Sequence, residues 1–486
     1  MATVKFYITT TLPYVNAVPH LGHALEFVQA DAIVRYHKSR GEEVFFNTGT
    51  DEHGLKVYRK AQELHQDPQT YVDESAENFR KILADLGVVY TRFIRTTEAK
   101  HVTACQEFWR RCKEAGDIYL AQYKVKYCVG CELEKTDSEL TDSKCPDHPN
   151  LAVEEREEEN YFFRFSKYQQ PLLDLYQKYP DFVLPAHRLQ EIRNFVAAGL
   201  QDFSISRLKE KMPWGVAVPD DPRHVMYVWF DALINYISTL NWPGGQPSKF
   251  EDFWGTEEEP RAVQIAGKDN LRQQSAMWQA MLLSAGLPTS RQILIHGHIV
   301  SGGQKMSKTI GNVVDPAEII RGYGADALRY WLLREMPTFE DGDFTLEKFK
   351  ESYNANLANG LGNLVQRVLK MAAVYKVAKS EERSAKREGK EGSVYQELME
   401  KYELQKATNL IWDEIQACDR MIQDCAPFKK FKTDPEAAKR DVAALLGKLA
   451  VIAHWLAPFL PATSQKIQEA LESGQPPAVP LFPRIG

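Results

Sequence analysis

Two short segments carry residue types suited to binding phosphate. In "PHLGHA", His20 and His23 flank Gly22 where a strand pattern passes into a helical pattern. A helix N-terminus attracts anions, two imidazoles one turn apart can face one phosphate, and glycine lets a nucleotide approach the backbone. In "KMSKT", Lys305 and Lys308 bracket a serine within a glycine-flanked loop. Because both the P-loop and the dinucleotide-binding glycine patterns are absent from the sequence, these segments indicate a different phosphate-binding device.

A second cluster has the spacing of metal ligands. Cys128, Cys131, Cys145 and His148 read C-x2-C-x13-C-x2-H. Two short-spaced ligand pairs are typical of a closed, tetrahedral, structural zinc site, so we expect one Zn2+ per chain. The alternative is a pair of unrelated turns with buried thiols. The other cysteines are interpreted as core residues: Cys105, Cys112, Cys418 and Cys425.

The elements around the histidine segment predict a parallel sheet. Val4–Thr9 has a strand pattern, a helix is predicted from about Gly22 to Ser39, and Glu43–Asn47 is a second, buried strand. Strand, crossover helix and strand in this order form a parallel pair, whose ligand site lies beyond the carboxyl ends of the strands.

This alternation is interrupted and then resumes. A stretch rich in Cys, Asp, Glu and Pro runs from about Gly116 to Asp220 and includes the acidic run Glu154–Glu159, which we interpret as a solvated face. Strand and helix patterns return at "HVMYVWFDALINYI" and "AVQIAGKDN". From about Lys350 the patterns are helical, and Lys379–Gly392 is predicted to be an exposed linker.

Composition limits the possible classes of protein. The chain has 486 residues, 44% of them hydrophobic and 26% charged, which indicates a globular protein of several domains. It contains no apolar run of ~18 residues and no export leader, and its seven cysteines suit a reducing compartment, so we expect a cytoplasmic protein. The net charge of −6 argues against non-specific nucleic-acid affinity, so any nucleic acid must bind through local patches.

The ordered motifs resemble one family. "HLGH" followed by "KMSKT" resembles the paired signatures of class I aminoacyl-tRNA synthetases. "TLPYVNAVPHLGHA", "TGTDEHG", "YVWFDALINYI", "QKMSKTIGNVVDP" and "YGADALRYWLLRE" narrow the resemblance to the methionyl-tRNA synthetase family, along nearly the whole chain. The resemblance implies activation of L-methionine with Mg2+-bound ATP to methionyl-adenylate, followed by transfer to the 3′ end of tRNA(Met).

The resemblance also implies an α/β fold: a Rossmann-like parallel-sheet catalytic domain, interrupted by a zinc-knuckle insertion and followed by an all-α anticodon-binding helical bundle. The expected division is the first catalytic half at 1–115, the insertion at 116–220, the second catalytic half at 221–290, the KMSKT-loop and stem-contact region at 291–350, and the anticodon-binding domain at 351–486.

Site residues follow from the matching positions. The resemblance implies electrostatic catalysis by His20, His23, Lys305 and Lys308. It implies ATP binding by Gly22, Gly267, Asp269, Lys305 and Lys308, with Asp269 at the ribose. Methionine binding is expected at Leu12, Tyr14, Asp51, Trp229, Ala232, Tyr236 and Gln274, with Asp51 and the backbone of Leu12 at the ammonium group. Plain core packing is the alternative for Trp229 and Tyr236, seven residues apart on one predicted helix.

Three residues of the pocket region depart from the family. Asn270 stands where an apolar residue is common, Gln274 where a histidine is common, and Leu233 where a proline is frequent. These departures leave the contact to the thioether open.

The helical part carries the anticodon residues that the resemblance implies: Asn363, Arg367 and Phe428, the last at a position usually occupied by tryptophan. Unstacked bases are read by aromatic stacking and edge hydrogen bonds, which suits this set. The chain ends near the end of the family core, so we expect a monomer without an appended dimerisation or tRNA-binding module.

Two other functions remain as alternatives: a small-molecule nucleotidyltransferase with the same histidine signature, and a non-catalytic tRNA-binding paralogue. The zinc pattern and the helical part argue against the first. The intact His20, His23, Lys305 and Lys308 argue against the second.

Overall fold

The computed structural model describes residues 3–16, 18–131, 133–135, 139–244, 249–305, 314–377 and 390–485. The chain forms two compact units. Unit 1 consists of Met1–Pro19, Glu42–Lys81 and Tyr90–Ile295, and unit 2 consists of His20–Gly41, Ile82–Val89 and His296–Gly486. No helix among the described residues is long and apolar enough to cross a membrane.

The strands are β1 Lys5–Thr10, β2 Glu43–Thr50, β3 Arg92–Arg95, β4 Ile118–Cys128, β5 Leu133–Lys135, β6 Val153–Phe163, β7 Val183–Leu184, β8 Phe203–Ser204, β9 Ser206–Leu208, β10 His224–Met226, β11 Ala262–Gly267, β12 Gln292–His296, β13 Ile299–Ser301, β14 Gln304–Lys305 and β15 Gly342–Asp343.

The helices are α1 Leu21–Ser39, α2 Leu55–Glu63, α3 Pro68–Asp85, α4 Ala99–Glu114, α5 Gln169–Lys178, α6 Ala186–Ala197, α7 Val228–Leu233, α8 Asn235–Ser238, α9 Phe250–Phe253, α10 Trp278–Ser284, α11 Pro316–Tyr323, α12 Ala325–Tyr330, α13 Leu346–Ser352, α14 Asn363–Tyr375, α15 Lys390–Glu400, α16 Leu404–Cys425, α17 Pro427–Lys430, α18 Pro435–Leu456 and α19 Pro461–Ser473.

Unit 1 is built on a six-stranded sheet in the order β3-β2-β1-β11-β12-β7. β1 pairs in parallel with both β2 and β11, and β2 pairs in parallel with β3. Apolar side chains on both faces of β1 and β11 are buried, as expected for central strands covered by helices. The predicted parallel α/β fold is therefore confirmed, and both predicted strands form, β2 running on to Thr50.

The predicted single helix through Trp229 and Tyr236 is wrong. Two short helices, α7 and α8, meet at Ile234 instead. The side chain of Asn235 donates to the carbonyl of Ala232 at 2.6 Å and accepts from Asn47 at 2.9 Å. Such side-chain bonds compete with the helix ladder, which explains why one regular helix does not form here.

The stretch 116–220 contains a four-stranded sheet in the order β5-β4-β6-β8, in which β4 and β6 run antiparallel over their full length, whereas β7 of the same stretch pairs with β12 in the six-stranded sheet. The acidic run Glu154–Glu159 lies within β6 and faces the basic strand β4 in the pairing, with Glu155 opposite Lys126. Opposite charges across an antiparallel pair stabilise the sheet. The run is therefore a structural strand, with Glu155 exposed and Glu154 and Glu159 half-buried.

Beyond Lys350, every regular element among the described residues is helical. α18 is the central helix, since it packs against α14, α16 and α19 and buries Leu445 and Leu449 completely. The predicted all-α C-terminal part is confirmed. Of the predicted linker, residues 379–389 lie outside the described residues, and the remaining residues, from Lys390 to Gly392, begin α15.

A fully buried ion pair joins the segments of unit 2. Arg329 of α12 contacts Asp31 of α1 at 2.7 Å, and neither side chain is exposed. Arg329 also donates to the carbonyls of Phe459 at 2.7 Å and Pro458 at 3.0 Å. A buried charge is tolerated only when it is paired and hydrogen-bonded, so this pair fixes α1 against the C-terminal helices.

We predict that Arg329→Met lowers the free energy of unfolding by ~3–5 kcal/mol, because Asp31 is left buried without its main partner. Urea unfolding measures the change. Arg35→Met is the matched control, since Arg35 also contacts Asp31, at 2.7 Å, but is 24% exposed. Its loss should cost less than ~1 kcal/mol. Equal losses for the two variants would contradict the structural role assigned to Arg329.

Candidate functional site

The segments that follow β1 and β2 in unit 1 hold the first of the residues expected to bind methionine. Asp51 follows β2 directly and is 2% exposed. Its backbone N–H donates to the carbonyl of Pro13 at 3.0 Å, and its carbonyl accepts from Val15 at 3.3 Å. Tyr14 and Asp51 thereby form a parallel bridge beyond the regular strands. The loop that contains the half-buried Leu12 thus lies beside a buried carboxylate.

Aromatic side chains form one corner of this region. The rings of Tyr14 and Trp229 meet edge to face, with centroids 6.3 Å apart at 85°. Trp229 Nε1 is buried and has no hydrogen-bond partner among the described residues. The same holds for the indole nitrogens of Trp109 and Trp278, so this property does not by itself mark a ligand site. The Lys56 amine lies 5.8 Å from the Tyr14 ring.

Tyr236 of α8 and Gln274 are in direct contact. Gln274 lies on a π-helical turn, Gln273–Met277, and its Nε2 donates to Tyr236 Oη at 2.8 Å. Tyr7 of β1 donates to the Tyr236 carbonyl at 2.6 Å. Ala232, Tyr236 and Gln274 are all buried. Two other residues depart from the family. Leu233 is buried, whereas Asn270 is half-buried, and its Nδ2 lies 3.4 Å from Asp269 Oδ1.

A buried cluster of charged side chains, which the sequence analysis did not predict, directly precedes Ala232 in the chain. Asp231, one residue before Ala232, contacts His53 Nδ1 at 3.1 Å and His101 Nε2 at 3.7 Å. Burial opposes ionisation, but the two histidines outweigh it, and the pKa of Asp231 lies below its ordinary value. The signal was present in the quoted motifs, since His53 and Asp231 adjoin pocket positions in "TGTDEHG" and "YVWFDALINYI".

The cysteine interpretation is mostly confirmed. Cys105, Cys112 and Cys418 are buried, but Cys425 is only half-buried at the end of α16, so the interpretation was wrong there. Cys105 Sγ lies 3.2 Å from His101 Nε2. Burial, reinforced by the charge of Asp231, raises the pKa of the Cys105 thiol well above its ordinary value. Cys105 is therefore a packed thiol and not a nucleophile.

In unit 2, the two histidines that are expected to bind phosphate cap α1. Gly22 N–H donates to His20 Nδ1 at 3.1 Å, and His20 N–H donates to His23 Nδ1 at 3.2 Å. Both Nδ1 atoms accept, so the neutral rings carry their proton on Nε2. The rings stack with centroids 3.8 Å apart. A Cβ on Gly22 would lie 2.9 Å from His20 Cε1, so the glycine makes room for this ring.

The other residues expected to bind ATP lie on different elements from His20 and His23. Gly267 ends β11, and Asp269 is exposed on the short turn Lys268–Asn270 that follows. Both lie in unit 1 at the carboxyl end of the sheet. Lys305 ends the described part of its segment in β14, where it pairs with Val300. Lys308 lies outside the described residues.

The four predicted metal ligands converge in the insertion. The sulfurs of Cys128, Cys131 and Cys145 and Nδ1 of His148 all lie within 4.8 Å of one another. Cys131 Sγ is 3.3 Å from both Cys145 Sγ and His148 Nδ1. A tetrahedral zinc with ligand bonds of ~2.0–2.3 Å needs ligand atoms ~3.3–3.8 Å apart, so the set fits a metal. A Cβ on Gly130 would lie 2.2 Å from His148 Cγ, which explains the glycine between the first two ligands.

The expected anticodon residues lie in the helical part of unit 2. Asn363 is exposed at the first position of α14, and Arg367, one turn later, contacts Asp419 of α16 at 3.0 Å. Burial raises the pKa of Asp419, and Arg367 opposes this effect. Phe428 lies on α17 and is 49% exposed. The exposed Phe428 ring is compatible with base stacking, and the exposed Asn363 amide is compatible with edge recognition.

Comparisons with known proteins identify the same family along nearly the whole chain. Residues 6–152 and 139–369 match the family described as tRNA synthetases class I (M), and residues 374–479 match the anticodon binding domain of methionyl tRNA ligase. A methionine–tRNA ligase of Thermosynechococcus vestitus is 41% identical over 95% of this chain and 89% of its own length. One from Thermotoga maritima is 41% identical over 87% of this chain and 68% of its own length.

A solved structure is similar to this chain in fold as well as in sequence. The Mycobacterium tuberculosis methionyl-tRNA synthetase in complex with methionyl-adenylate is 34% identical, with a TM-score of 0.90 over 99% of this chain and 100% of that one. Sequence and structural similarity extend over nearly the full length of both proteins. The chain therefore belongs to the methionyl-tRNA synthetase family of class I aminoacyl-tRNA synthetases.

Proposed function

We propose that the chain is a methionine–tRNA ligase that activates methionine with ATP and transfers it to the 3′ end of tRNA(Met). The observation that carries the proposal is that the buried Asp51 is paired through its backbone with Tyr14, whose ring meets that of Trp229. A carboxylate matches the ammonium group of an amino acid, and aromatic walls match a polarizable thioether.

Each pocket residue has a distinct role in this proposal. Asp51 and the backbone of Leu12 bind the ammonium group, while Tyr14, Trp229, Ala232 and Tyr236 enclose the side chain. Gln274 reaches the side-chain end through its hydrogen bond to Tyr236. The substrate carboxylate is then left free to react.

In the first step, a carboxylate oxygen of methionine attacks the α-phosphorus of ATP, the P–O bond to the β-phosphate breaks, and pyrophosphate leaves. Because their Nδ1 atoms accept backbone hydrogen bonds, His20 and His23 direct Nε2–H donors at the phosphates. Lys305 and Lys308 add positive charge, Gly22 and Gly267 allow close approach, and Asp269 binds the ribose. Mg2+, when bound with ATP, neutralises phosphate charge.

In the second step, the 2′-hydroxyl of the terminal adenosine of the tRNA attacks the activated carbonyl, and AMP leaves. Asn363, Arg367 and Phe428 read the anticodon. We assign the domains to 1–115, 116–220, 221–290, 291–350 and 351–486, in the roles expected from the sequence. A monomer in the cytoplasm remains part of the proposal.

We predict that methionine supports ATP–pyrophosphate exchange far better than the other nineteen amino acids, and that His20→Ala abolishes it because a phosphate donor is lost. Exchange measured with each amino acid in turn tests this. Strongest exchange with leucine, isoleucine or cysteine would refute the assigned substrate.

The metal proposed for the insertion is one structural Zn2+ held by Cys128, Cys131, Cys145 and His148. We predict that Cys145→Ala loses the metal and disorders the insertion, since structural zinc sites fold with their ion. Elemental analysis and limited proteolysis give the readout, and Cys112→Ala, which removes a buried thiol outside the cluster, is the control. Freshly purified protein without zinc would contradict the assignment.

Recognition of the anticodon distinguishes a methionine–tRNA ligase from a small-molecule nucleotidyltransferase. We predict that Phe428→Ala spares exchange but lowers charging of tRNA(Met) about 5- to 150-fold, because stacking of a base contributes ~1–3 kcal/mol. Arg367→Ala should also lower charging and weaken discrimination between CAU and other anticodons. Equal loss of exchange and charging in one Phe428→Ala preparation would show that this residue only supports the fold.

A further inference from the structure

Lys305 lies at the end of a small three-stranded sheet in unit 2, which has the order β14-β13-β15. Ser301 of β13 pairs with Gln304 of β14, so the turn between these strands has two residues, Gly302 and Gly303. Both strands are short, and a two-stranded hairpin is only marginally stable by itself in water. The position of the Lys305 backbone therefore depends on what holds this hairpin in place.

The hairpin turn is held by a side chain from outside the hairpin. Its two residues have positive φ angles, 60° at Gly302 and 76° at Gly303, as tight hairpin turns require. The hydrogen bond that closes such a turn uses the N–H of the residue after it, so the Gly303 N–H needs another acceptor. That acceptor is Asp343, because the Gly303 N–H donates to Asp343 Oδ1 at 3.1 Å.

Asp343 connects this turn to the packed interior of unit 2. It belongs to β15, which pairs in parallel with β13. The next residue, Phe344, is 1% exposed, and its N–H donates to the Val300 carbonyl at 2.9 Å. The Phe344 ring packs against Trp331 and Phe349, with ring centroids 5.6 Å and 6.0 Å away. The carboxylate that holds the turn is thus anchored through its neighbour in a buried aromatic cluster.

The Asp343 carboxylate also carries the charge that makes this bond strong. Lys348 of α13 donates to Asp343 Oδ2 at 2.7 Å. The Lys348 ammonium, together with the Gly303 N–H, lowers the pKa of Asp343, so the group is ionised at neutral pH. A hydrogen bond to an ionised acceptor is stronger than one to a neutral acceptor. One oxygen of the carboxylate therefore holds the turn while the other holds α13.

We propose that Asp343 is a positioning residue for adenylate formation: by holding the turn through the Gly303 N–H, it keeps the Lys305 backbone in register with Val300. The inference rests on the proposed function, in which Lys305 adds positive charge at the phosphates of ATP. Positive charge stabilises a transition state best when its location is set before the reaction begins. Asp343 acts through Lys305 and not on the substrate itself.

The two steps of the proposed reaction separate this role from general support of the fold. Lys305 is needed while the P–O bond to the β-phosphate breaks, whereas pyrophosphate has already left when the tRNA attacks the adenylate. Loss of the Asp343 carboxylate should therefore slow adenylate formation and spare transfer to tRNA. A weakened fold would slow both steps.

The test compares the two steps in the full chain with Asp343→Ala. We expect kcat for ATP–pyrophosphate exchange to fall about 10-fold, the equivalent of one hydrogen bond to a charged group. We expect KM for methionine to stay within ~2-fold of wild type, since uniform binding of this substrate is untouched. Enzyme-bound methionyl-adenylate, accumulated by long incubation with pyrophosphatase, should transfer methionine to tRNA(Met) within ~2-fold of the wild-type rate in a single turnover.

Two further variants serve as controls. Asp343→Asn should recover most of the exchange activity, because its amide oxygen can still accept from the Gly303 N–H. Asp434→Ala is the matched control, since Asp434 Oδ1 accepts from the Ala437 N–H at 2.9 Å at the start of α18. It removes the same kind of bond elsewhere in unit 2 and should leave both steps unchanged.

Gly303→Ala provides a second variant, decisive if Asp343→Ala does not fold. A Cβ there meets no atom within 4 Å, so the substitution strains only the positive φ of the turn. It should also slow exchange and spare transfer, by a smaller factor than Asp343→Ala. Equal losses in both steps, or unchanged exchange in the folded variants, would overturn the role of Asp343. Wild-type protein that shows no methionine-dependent exchange would overturn the proposed function instead, before any variant is compared.

Discussion

The structure of unit 1 depends on parallel strands that end at one edge of a sheet. β1 lies between β2 and β11, so the residues that follow these strands are necessarily neighbours. Asp51 follows β2, the Leu12–Val15 loop follows β1, and Asp269 follows β11. Parallel pairing thus brings Asp51 and Asp269, the carboxylates proposed to bind the amino group and the ribose, to one edge of the sheet without any specific long-range contact between them.

Buried polar groups then orient α7 and α8, which carry Trp229 and Tyr236. Asn47 on β2 binds Asn235 at 2.9 Å, and His53 binds Asp231 at 3.1 Å, so α7 and α8 are tied to the sheet at two points. Because an unsatisfied buried polar group costs ~1–3 kcal/mol, these bonds permit few alternative placements of Trp229 and Tyr236. Burial of polar groups therefore serves precision of the pocket as well as stability.

In unit 2 and in the insertion, two glycines leave space for histidine rings because glycine has no side chain. Gly22 leaves room for the His20 ring that accepts its own N–H, and Gly130 leaves room for the His148 ring at the metal cluster. In both places an imidazole packs against backbone, which fixes the ring and the nitrogen that it presents. The expectation from the sequence was that Gly22 admits a nucleotide; its closest neighbour within the protein is a histidine.

Local pattern was enough to predict the strands β1 and β2, the helix α1, the insertion with its ligand spacing, and the helical C-terminal part, because each depends on nearby residues and on periodicity. The family motifs supplied the site residues, but only by position. What the sequence could not predict depends on contacts distant along the chain: the break between α7 and α8 at Ile234, the Asp231–His53–His101 cluster and the Arg329–Asp31 pair. Buried polar pairs leave no periodic pattern in the sequence, since the two partners can lie hundreds of residues apart. Only the tertiary structure decides which donor meets which acceptor.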